Sequence, residues 1–193
     1  MINGSLTYLR PIMEEDFESI YRATKDDEIR YMTGTINTFA LEDIKKHYER
    51  TSKDDSRYDF AICLKESDFI IGDITISDID ERDNKAGFRI ALHNIDSLGK
   101  GYGTEAVKLA IYFAFEKLKL NRLQLEVFSH NPRGVRAYEK AGFTIEGVLR
   151  QAIYINNQYS DEIIMSILRE EYDKIRESFS FIEVIGRGDN NAI

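Results

Sequence analysis

Leu98-Gly99-Lys100-Gly101-Tyr102-Gly103-Thr104-Glu105-Ala106 is a loop sequence with glycine at three alternate positions. Because glycine lacks a Cβ atom, this segment can curl around an anion and direct several backbone N–H groups toward it. The residues that follow are apolar at helical spacing: Ala106, Val107, Ala110, Ile111 and Ala114. The N-terminus of such a helix supplies unpaired amides and the positive end of the helix dipole. The stretch therefore predicts a binding site for a pyrophosphate.

Strand patterns lie on both sides of this loop. Apolar runs predict strands over residues 6–10, 58–64, 69–77, 86–92, 122–127, 144–154 and 159–168. Helical spacing predicts helices after a cap at Asp16 and over residues 40–50, 133–140 and 169–177, with a loop over 33–38. The strand 86–92, the glycine loop, its helix and the strand 122–127 would form a right-handed crossover with two parallel strands. We therefore expect an α/β fold with a mixed, mostly antiparallel sheet of six or seven strands flanked by helices.

The chain length and the composition fit one globular domain. With 193 residues, 42% of them hydrophobic, the chain can bury a substantial core. We place one domain over residues 1–177 and a C-terminal extension over residues 178–193. An apolar patch at 179–185 in this extension either covers an edge of the core or binds a second copy, so a homodimer is left open.

The charge and the cysteine content narrow the classes of partner. The formal net charge is −8. A negative surface repels phosphate backbones, so no nucleic-acid partner is expected, and it favours a cationic ligand such as an amine. The single cysteine, Cys63, excludes an internal disulfide and a cysteine metal cluster, and we expect it to be buried and inert. With no secretion signal and no apolar stretch of membrane-spanning length, we expect a cytoplasmic protein without membrane association.

Two other phosphate-binding motifs are alternative interpretations of the glycine loop. Residues 101–106 satisfy the dinucleotide pattern G-x-G-x-x-A. A dinucleotide-binding fold, however, needs glycine directly after the strand and further parallel strands afterwards, whereas a polar loop precedes Gly99 and the chain closes with an antiparallel hairpin. A P-loop is absent because Lys100 precedes Gly101 and no Gly-Lys-Ser/Thr sequence occurs.

A second motif follows the glycine loop. Asn131 precedes Pro132, and the next predicted helix closes with Ala137-Tyr138-Glu139-Lys140-Ala141-Gly142-Phe143. The loop Gly-Lys-Gly-Tyr-Gly-Thr-Glu-Ala and the frame Asn-x6-Tyr-x3-Gly-Phe together closely resemble the GNAT acetyltransferase superfamily, particularly its ribosomal-protein and diamine acetyltransferase-like branches. The resemblance covers residue 86 to about residue 167, and the earlier strand-helix-helix order agrees with it.

The resemblance implies transfer of an acetyl group from acetyl-CoA, as co-substrate and without a metal, to a primary amine by direct attack on the thioester. The loop would hold the pyrophosphate through its amides, strand residues 90–92 would pair with the pantetheine arm like an added strand, and Asn131 would bond the arm or an ordered water. The implied cofactor contacts are Ile90, Ala91, Leu92, Leu98, Gly99, Lys100, Gly101, Tyr102, Gly103, Thr104, Asn131 and Arg136.

Two residues are candidates for proton transfer. Tyr138 would donate a proton to the departing thiolate, although its helical spacing also fits a tyrosine of the core. Glu126 would act as the base, as does a glutamate in the equivalent Leu-Glu-Val strand of the ribosomal-protein alanine acetyltransferase branch. Glu126 equally fits a solvated strand carboxylate. We interpret His130 as a surface imidazole and Glu105 as favourable to the helix dipole.

Two departures from the family pattern keep alternatives open. Leu98 stands where the family usually has Gln or Arg, and Gly87 stands where many relatives have a glutamate. The leading hypothesis is an N-acetyltransferase whose acceptor is a protein N-terminus or a small amine such as a polyamine or an aminoglycoside. The alternative is a GNAT-like module that binds acyl-CoA without turnover, and a dinucleotide-binding oxidoreductase is the more distant third.

Overall fold

The structure, a computed structural model, describes residues 1–184 and contains one continuous sheet. The strands of the described chain are β1 (Ile2–Asn3), β2 (Thr7–Pro11), β3 (Tyr58–Leu64), β4 (Ile70–Asp80), β5 (Lys85–Leu92), β6 (Arg122–Phe128), β7 (Thr144–Ile155), β8 (Gln158–Leu168) and β9 (Glu183–Val184). Their spatial order is β7-β8-β6-β5-β4-β3-β2-β1-β9. Every neighbouring pair is antiparallel except β5 with β6, which is parallel. The predicted mixed, mostly antiparallel sheet with a central crossover is confirmed.

Helices cover both faces of this sheet. They are α1 (Phe17–Ala23), α2 (Asp27–Thr33), α3 (Leu41–Thr51), α4 (Tyr102–Tyr112), α5 (Pro132–Ala141) and α6 (Arg169–Ile175). A π-helical turn, Phe113–Lys117, continues α4. The main core lies between α4 and the strands, and a smaller cluster of Phe17, Ile20 and Ile44 joins α1 to α3. Because successive strand residues point to opposite faces, the polar residues of β4 and β5 face the side of α1 and α3.

α4 lies at the centre of the main core. Ala106, Leu109, Ala110 and Ile111 are fully buried. A helix that is apolar on all sides is expected where it is enclosed by other elements. The N-terminus of α4, which follows the glycine loop, is therefore held in place by the packing of the whole helix.

Glu105, in the first turn of α4, fastens the turn between β1 and β2. Its carboxylate accepts hydrogen bonds from the N–H groups of Ser5 at 3.1 Å, Leu6 at 2.8 Å and Thr7 at 2.7 Å, and from the Thr7 hydroxyl at 3.0 Å. The sequence interpretation, which gave Glu105 only a favourable interaction with the helix dipole, missed this tertiary role.

The structure corrects the sequence predictions in three places. The described chain has nine strands rather than six or seven, because the two-residue strands β1 and β9 pair with each other at one edge of the sheet. It also has α2, which the sequence analysis did not predict. This helix has no buried residue, so it lacks the apolar periodicity that reveals a helix. Asp16 precedes α1 but makes no cap bond, since its carboxylate pairs with Arg10 at 2.6 and 2.8 Å.

Part of the predicted C-terminal extension packs into the main core. Phe179 and Ile182 are buried there, while Ile185 and residues 186–193 lie outside the described residues. The boundary after residue 177 and the homodimer stay predictions. Cys63 is buried, as expected. Within residues 1–184, no helix is long and apolar enough to cross a membrane, and no cluster of three or more His, Cys, Asp or Glu side chains is arranged to hold a metal ion.

Candidate active site

A gap opens between the two parallel strands of the sheet. Their ladder ends at the pair of Gly87 with Gln124. Beyond this pair β5 follows β4 as far as Leu92, whereas β6 follows β8 as far as Phe128. The edge of β5 after Gly87 therefore lacks a strand partner on the side of β6. An extended ligand can bind such an edge through main-chain hydrogen bonds, as an added strand would.

The glycine loop lies at the open end of this gap. Gly99 and Gly101 have φ angles of 75° and 86°, in the left-handed region that favours glycine. A Cβ atom added at Gly99 would meet no other atom within 4 Å, and one at Gly101 would approach only Leu6, at 3.9 Å. The loop backbone is thus exposed to open space directly before α4 begins at Tyr102. This arrangement can present several N–H groups and a helix N-terminus to an anion.

A cavity of about 480 Å³, here called the glycine-loop cavity, joins the gap to the loop. Its walls come from the end of β5, the glycine loop, the start of α4, and α2 and α5. Ten of the predicted cofactor contacts line it: Ile90, Ala91, Leu92, Leu98, Gly99, Gly101, Gly103, Thr104, Asn131 and Arg136. Lys100 and Tyr102, which were also predicted, are not among the lining residues. Contact of each residue with a ligand stays a prediction.

α5 contributes a row of positive charge to the glycine-loop cavity. Arg133, Arg136 and Lys140 line it, and their spacing of three and four residues puts them on one helix face. Arg133 pairs with Glu28 of α2 at 2.6 Å, whereas Arg136 and Lys140 form no ion pair within the described chain. Sequence analysis selected Arg136 alone, although the helical spacing of the three cations was a readable signal.

Tyr138 of α5 is both a core residue and a residue of the glycine-loop cavity. Its side chain is 9% exposed and packs edge-on against Phe88, with 6.3 Å between ring centroids. Its hydroxyl makes no hydrogen bond to any residue of the described chain. Burial raises the pKa of Tyr138 to about 12, and the charge of Arg89 acts in the opposite direction. The phenol is therefore a proton donor with no partner inside the protein.

Asn131 and His130 hold α2 against the sheet. Asn131 caps α5 by accepting from Gly134 N–H at 2.9 Å, and its amide nitrogen donates to the Met32 carbonyl at 3.3 Å. His130 bonds the Tyr31 carbonyl through Nε2 at 2.7 Å and stacks on the Tyr31 ring. The interpretation of His130 as a free surface imidazole was wrong. The Asn131 side chain, expected to bond a ligand or a water, is engaged with the protein.

A second cavity of about 1030 Å³, here called the sheet-face cavity, lies on the opposite side of α2. α3, α2 and the loop between them form its walls, and polar residues of β4 and β5 form its floor. Ile29, Thr33 and Ala91 line both cavities. The two cavities therefore meet beside Ala91, at the gap between β5 and β6.

A hydrogen-bonded chain of three side chains reaches the floor of the sheet-face cavity. Asp73 lines the cavity, and one of its carboxylate oxygens lies 2.7 Å from Nε2 of His93. The other ring nitrogen, Nδ1, lies 3.1 Å from the Ser19 hydroxyl. With Nε2–H donating to the carboxylate, Nδ1 of the neutral ring accepts from the serine. Sequence analysis missed this arrangement because its members come from α1, β4 and the loop after β5.

Glu126, the base expected from the sequence, lies on β6 beyond the end of the parallel ladder. It is exposed and shares a sheet face with Gln124, but it lines neither cavity. Its close neighbour is Glu162 of β8, whose pKa is raised first by burial and then by the charge of Glu126. The role of Glu126 as a base stays a prediction.

Known proteins share the sequence pattern and the fold described here. A family profile described as an acetyltransferase (GNAT) domain matches residues 7–144. The chain belongs to the GNAT acetyltransferase family. It is an N-acetyltransferase that takes the acetyl group from acetyl-CoA and transfers it to an amine, so the family and activity predicted from the sequence are confirmed.

Individual relatives match nearly the whole domain. The probable N-acetyltransferase YjcK of Bacillus subtilis (strain 168) is 28% identical over 178 residues, which cover 89% of this chain and 98% of YjcK. Spermidine N(1)-acetyltransferase of Escherichia coli (strain K12) is 28% identical over 165 residues, which cover 85% of this chain and 87% of that enzyme. The crystal structure of spermidine N-acetyltransferase from Vibrio cholerae in complex with CoA and spermine superposes with a TM-score of 0.81 at 24% identity. The match covers 86% of this chain and 98% of the Vibrio cholerae chain. The last likeness shows the shared fold.

The glycine-loop cavity fits acetyl-CoA. The left-handed Gly99 and Gly101 leave a cradle that a side chain would fill, which suits a pyrophosphate. The unpaired edge of β5 suits the amide-containing pantetheine arm. The free cations Arg136 and Lys140 supply charge for phosphate groups.

Proposed function

We propose that this enzyme acetylates the primary amine of a small molecule at the place where its two cavities meet. The observation that carries the proposal is the shared boundary of Ile29, Thr33 and Ala91. A donor held in the glycine-loop cavity and an amine held in the sheet-face cavity would come together there, and such positioning accounts for much of the rate of a two-substrate reaction. The sheet-face cavity has the size of a small-molecule site, which favours a small amine over a protein N-terminus.

Acetyl-CoA supplies an acetyl group that is activated as a thioester. The amides of residues 99–104 would hold its pyrophosphate, and the edge of β5 would align the arm through main-chain bonds. A backbone N–H of that edge would also polarise the thioester carbonyl. The chain thus holds the donor mainly through its backbone, so Leu98 in place of a polar residue does not remove the principal contacts.

Tyr138 is the residue that we propose as general acid. The N–C bond to the amine forms, the C–S bond breaks, and the departing thiolate takes the phenolic proton. The unbonded hydroxyl in the glycine-loop cavity supports this role, because it has no partner within the described residues that would compete for its proton. The pKa of about 12 keeps the phenol protonated at neutral pH.

The amine arrives as an ammonium and must lose a proton before it attacks. We propose Asp73 as the base, because it lines the sheet-face cavity and His93 fixes its orientation. Glu126 is the alternative that the family resemblance supports. Asp73→Asn and Glu126→Gln separate the two, since the change at the true base lowers kcat/KM most strongly below the pKa of the amine, where ammonium predominates.

Thiol release from acetyl-CoA in the presence of Tyr138→Phe tests the proposed function. We expect kcat to fall by roughly 10²- to 10⁴-fold, because the general acid is lost. The dissociation constant of CoA should change little, since the phenylalanine ring keeps the packing against Phe88.

Because the pKa of Tyr138 is raised, the phenol loses its proton only near pH 12. The wild-type kcat should therefore show no alkaline fall from this group up to about pH 10.

Tyr112→Phe is the matched control, because Tyr112 lies at the far end of α4 and lines neither cavity. Its turnover should equal that of the wild type. If Tyr138→Phe retained turnover within twofold, Tyr138 would be a core residue alone. If the wild type released no thiol with any amine while CoA still raised its melting temperature, the chain would be an acyl-CoA-binding module.

A further inference from the structure

The sheet-face cavity is rich in positive charge, although the whole chain has a net charge of −8. Five cations line it: Arg30, Lys46, Arg50, Arg57 and Arg89. Two carboxylates line it, those of Asp43 and Asp73. The local charge is therefore opposite in sign to the net charge. The net charge of the chain therefore does not describe the charge of this cavity.

The carboxylates around the cavity are already bonded within the protein. Asp73 is held by the imidazole described above, and Asp43 accepts a backbone N–H at the start of α3 at 2.8 Å. Asp59, beside the cavity floor, forms two bonds with Arg57, at 2.7 and 2.8 Å, and a third with the Thr75 hydroxyl at 2.7 Å. Arg57 is paired with Asp59 and Lys46 lies 3.8 Å from Glu42, whereas Arg50 and Arg89 form no ion pair within residues 1–184.

Arg89 is the unpaired cation on the cavity floor. It lies opposite Thr75 in the β4–β5 ladder, on the face that lines the cavity. It is exposed and makes no hydrogen bond or ion pair within residues 1–184. Ala91, where the two cavities meet, is two residues further along β5, which corresponds to about 7 Å along a strand. The backbone positions of this free cation and of the proposed point of transfer are thus about one short molecule apart.

The imidazole of His47 reports the same positive field. His47 lines the sheet-face cavity from α3. Its pKa is lowered, first by burial and next by Arg57, with Asp59 acting in the opposite direction and Arg50 and Arg89 adding to the decrease. Three arginines therefore act on one side chain of the cavity wall, which shows that their charges are close together.

We propose that the acceptor is a small primary amine that also carries an acidic group, a carboxylate or a phosphate, and that Arg89 binds this group. The proposal rests on the proposed function, because it names the acceptor of the same site. Arg89 has the planar donor fork that pairs with carboxylate and phosphate oxygens. The distance from Arg89 to Ala91 selects a short spacer between the acid and the amine.

A polyamine has the opposite charge pattern. With one amine at Ala91, a second ammonium would lie near Arg89 and Arg50, which have no carboxylate partner within the described chain, and like charges repel. Charge at this cavity thus favours acidic amines and rejects polycations, and specificity of this kind needs both effects. Arg89 acts here as a specificity-determining residue.

The test compares kcat/KM for amines of matched length by thiol release from acetyl-CoA. The acidic amines are β-alanine, γ-aminobutyrate and phosphoethanolamine, whose carboxylates and phosphate separate the two acid types. Butylamine is the uncharged-tail reference, and putrescine and spermidine are the polycations. We expect the best acidic amine to exceed butylamine by at least about tenfold and the polycations to fall below it. Arg89→Gln should lower kcat/KM for that acidic amine by roughly 10- to 100-fold, with a much smaller change for butylamine, whereas Arg89→Lys, which keeps the charge but loses the planar fork, should retain only part of the preference.

Arg82→Gln is the matched control, since it removes the same charge from the exposed turn between β4 and β5. It should leave the order of the amines unchanged. CoA binding by Arg89→Gln, followed by melting temperature, should equal that of the wild type, which shows that the fold is intact. If putrescine or spermidine were the best acceptor, or if Arg89→Gln lowered all amines equally, the proposal would be overturned while the proposed function stood. If no amine of any charge released thiol, both would fall.

Discussion

The two cavities of this enzyme are built in different ways. The glycine-loop cavity takes much of its lining from one stretch, residues 90–104, with α5 and α2 closing it. The sheet-face cavity is formed by side chains from α1, α2, α3, β4 and β5. A site that binds through its backbone has to exclude side chains, so glycine spacing makes it visible in the sequence. A site that binds through side chains from distant segments has no such pattern, and its specificity emerges only from the fold.

The largest effect on this contrast is expected from Gly101→Val. The substituted residue would be strained at a φ of 86° and would place its side chain where the pyrophosphate should lie. Loss of two charge-assisted hydrogen bonds from the loop would weaken acetyl-CoA binding by at least about 100-fold. Isothermal titration with CoA measures this change. The relative kcat/KM values for different amines should stay as in the wild type.

Gly147→Val is the control for this change. Gly147 lies on β7, and a Cβ atom there also meets no atom within 4 Å. Its CoA affinity should be unaltered. An unchanged affinity in Gly101→Val would mean that the loop backbone does not hold the donor, and the contrast between the two cavities would be lost.

Glu105→Gln sharpens the contrast by separating stability from binding within the glycine loop. The amide keeps the shape but loses the charge that accepts four hydrogen bonds from residues 5–7. Bonds to charged groups contribute about 1.5–3 kcal/mol, so we expect unfolding free energy to fall by about 2 kcal/mol. The melting temperature should fall by roughly 4–8 °C in a chain of this length. Differential scanning calorimetry measures the melting temperature.

The exposed Glu49 offers the comparison, because it lies on α3 and its carboxylate makes no bond in the described chain. Glu49→Gln should melt within about 1 °C of the wild type. A loss of CoA affinity in Glu105→Gln without a loss of stability would show that the carboxylate serves the ligand rather than the β1–β2 turn.

The smallest effect is expected from Glu146→Gln, far from both cavities. Arg122 holds this carboxylate through two bonds, at 2.6 and 2.5 Å, and Ser166 donates a third. These bonds lower the pKa of Glu146 to about 2. A lowered pKa means that the pair stabilises the fold above the ordinary pKa and that its contribution is lost as the pH falls toward 2. Since Glu146 is 38% exposed, solvent screens the pair.

We therefore expect Glu146→Gln to lower unfolding free energy by less than about 1 kcal/mol at pH 7. The difference from the wild type should shrink between about pH 4 and pH 2, as chemical denaturation at each pH would show. Activity on amines should not change. A constant difference at every pH would mean that packing, not the ion pair, is responsible.

Sequence patterns predicted those parts of the fold that depend on neighbouring residues. The bounds of β3, those of β6 to within one residue, and the glycine loop follow from local apolar runs and glycine positions. The sequence analysis did not predict α2, because none of its residues is buried. Asp26 at its start and Gly34 at its end are nevertheless recognisable cap residues.

In the candidate site, too, sequence patterns predicted the residues that lie close together in the chain. Tyr138 and most of the glycine-loop contacts were visible because they belong to two compact motifs. The Asp73–His93–Ser19 chain and the unpaired Arg89 were not, because no short-range spacing brings together residues from so many elements. The net charge predicted an amine as ligand, which the activity confirms, but it did not predict the arginines of the sheet-face cavity, since charges averaged over a surface say nothing about one cavity.

α2, which lines both cavities, also has a thermodynamic consequence. It is fixed by the carbonyl contacts of His130 and Asn131 and by Glu28 with Arg133, without a buried side chain of its own. Any change in its position on binding one substrate alters the site of the other. Linkage then requires that the factor by which acetyl-CoA changes the affinity for the amine equals the factor by which the amine changes the affinity for acetyl-CoA. Any coupling of the two substrates through this partly buried helix would therefore act equally in both directions.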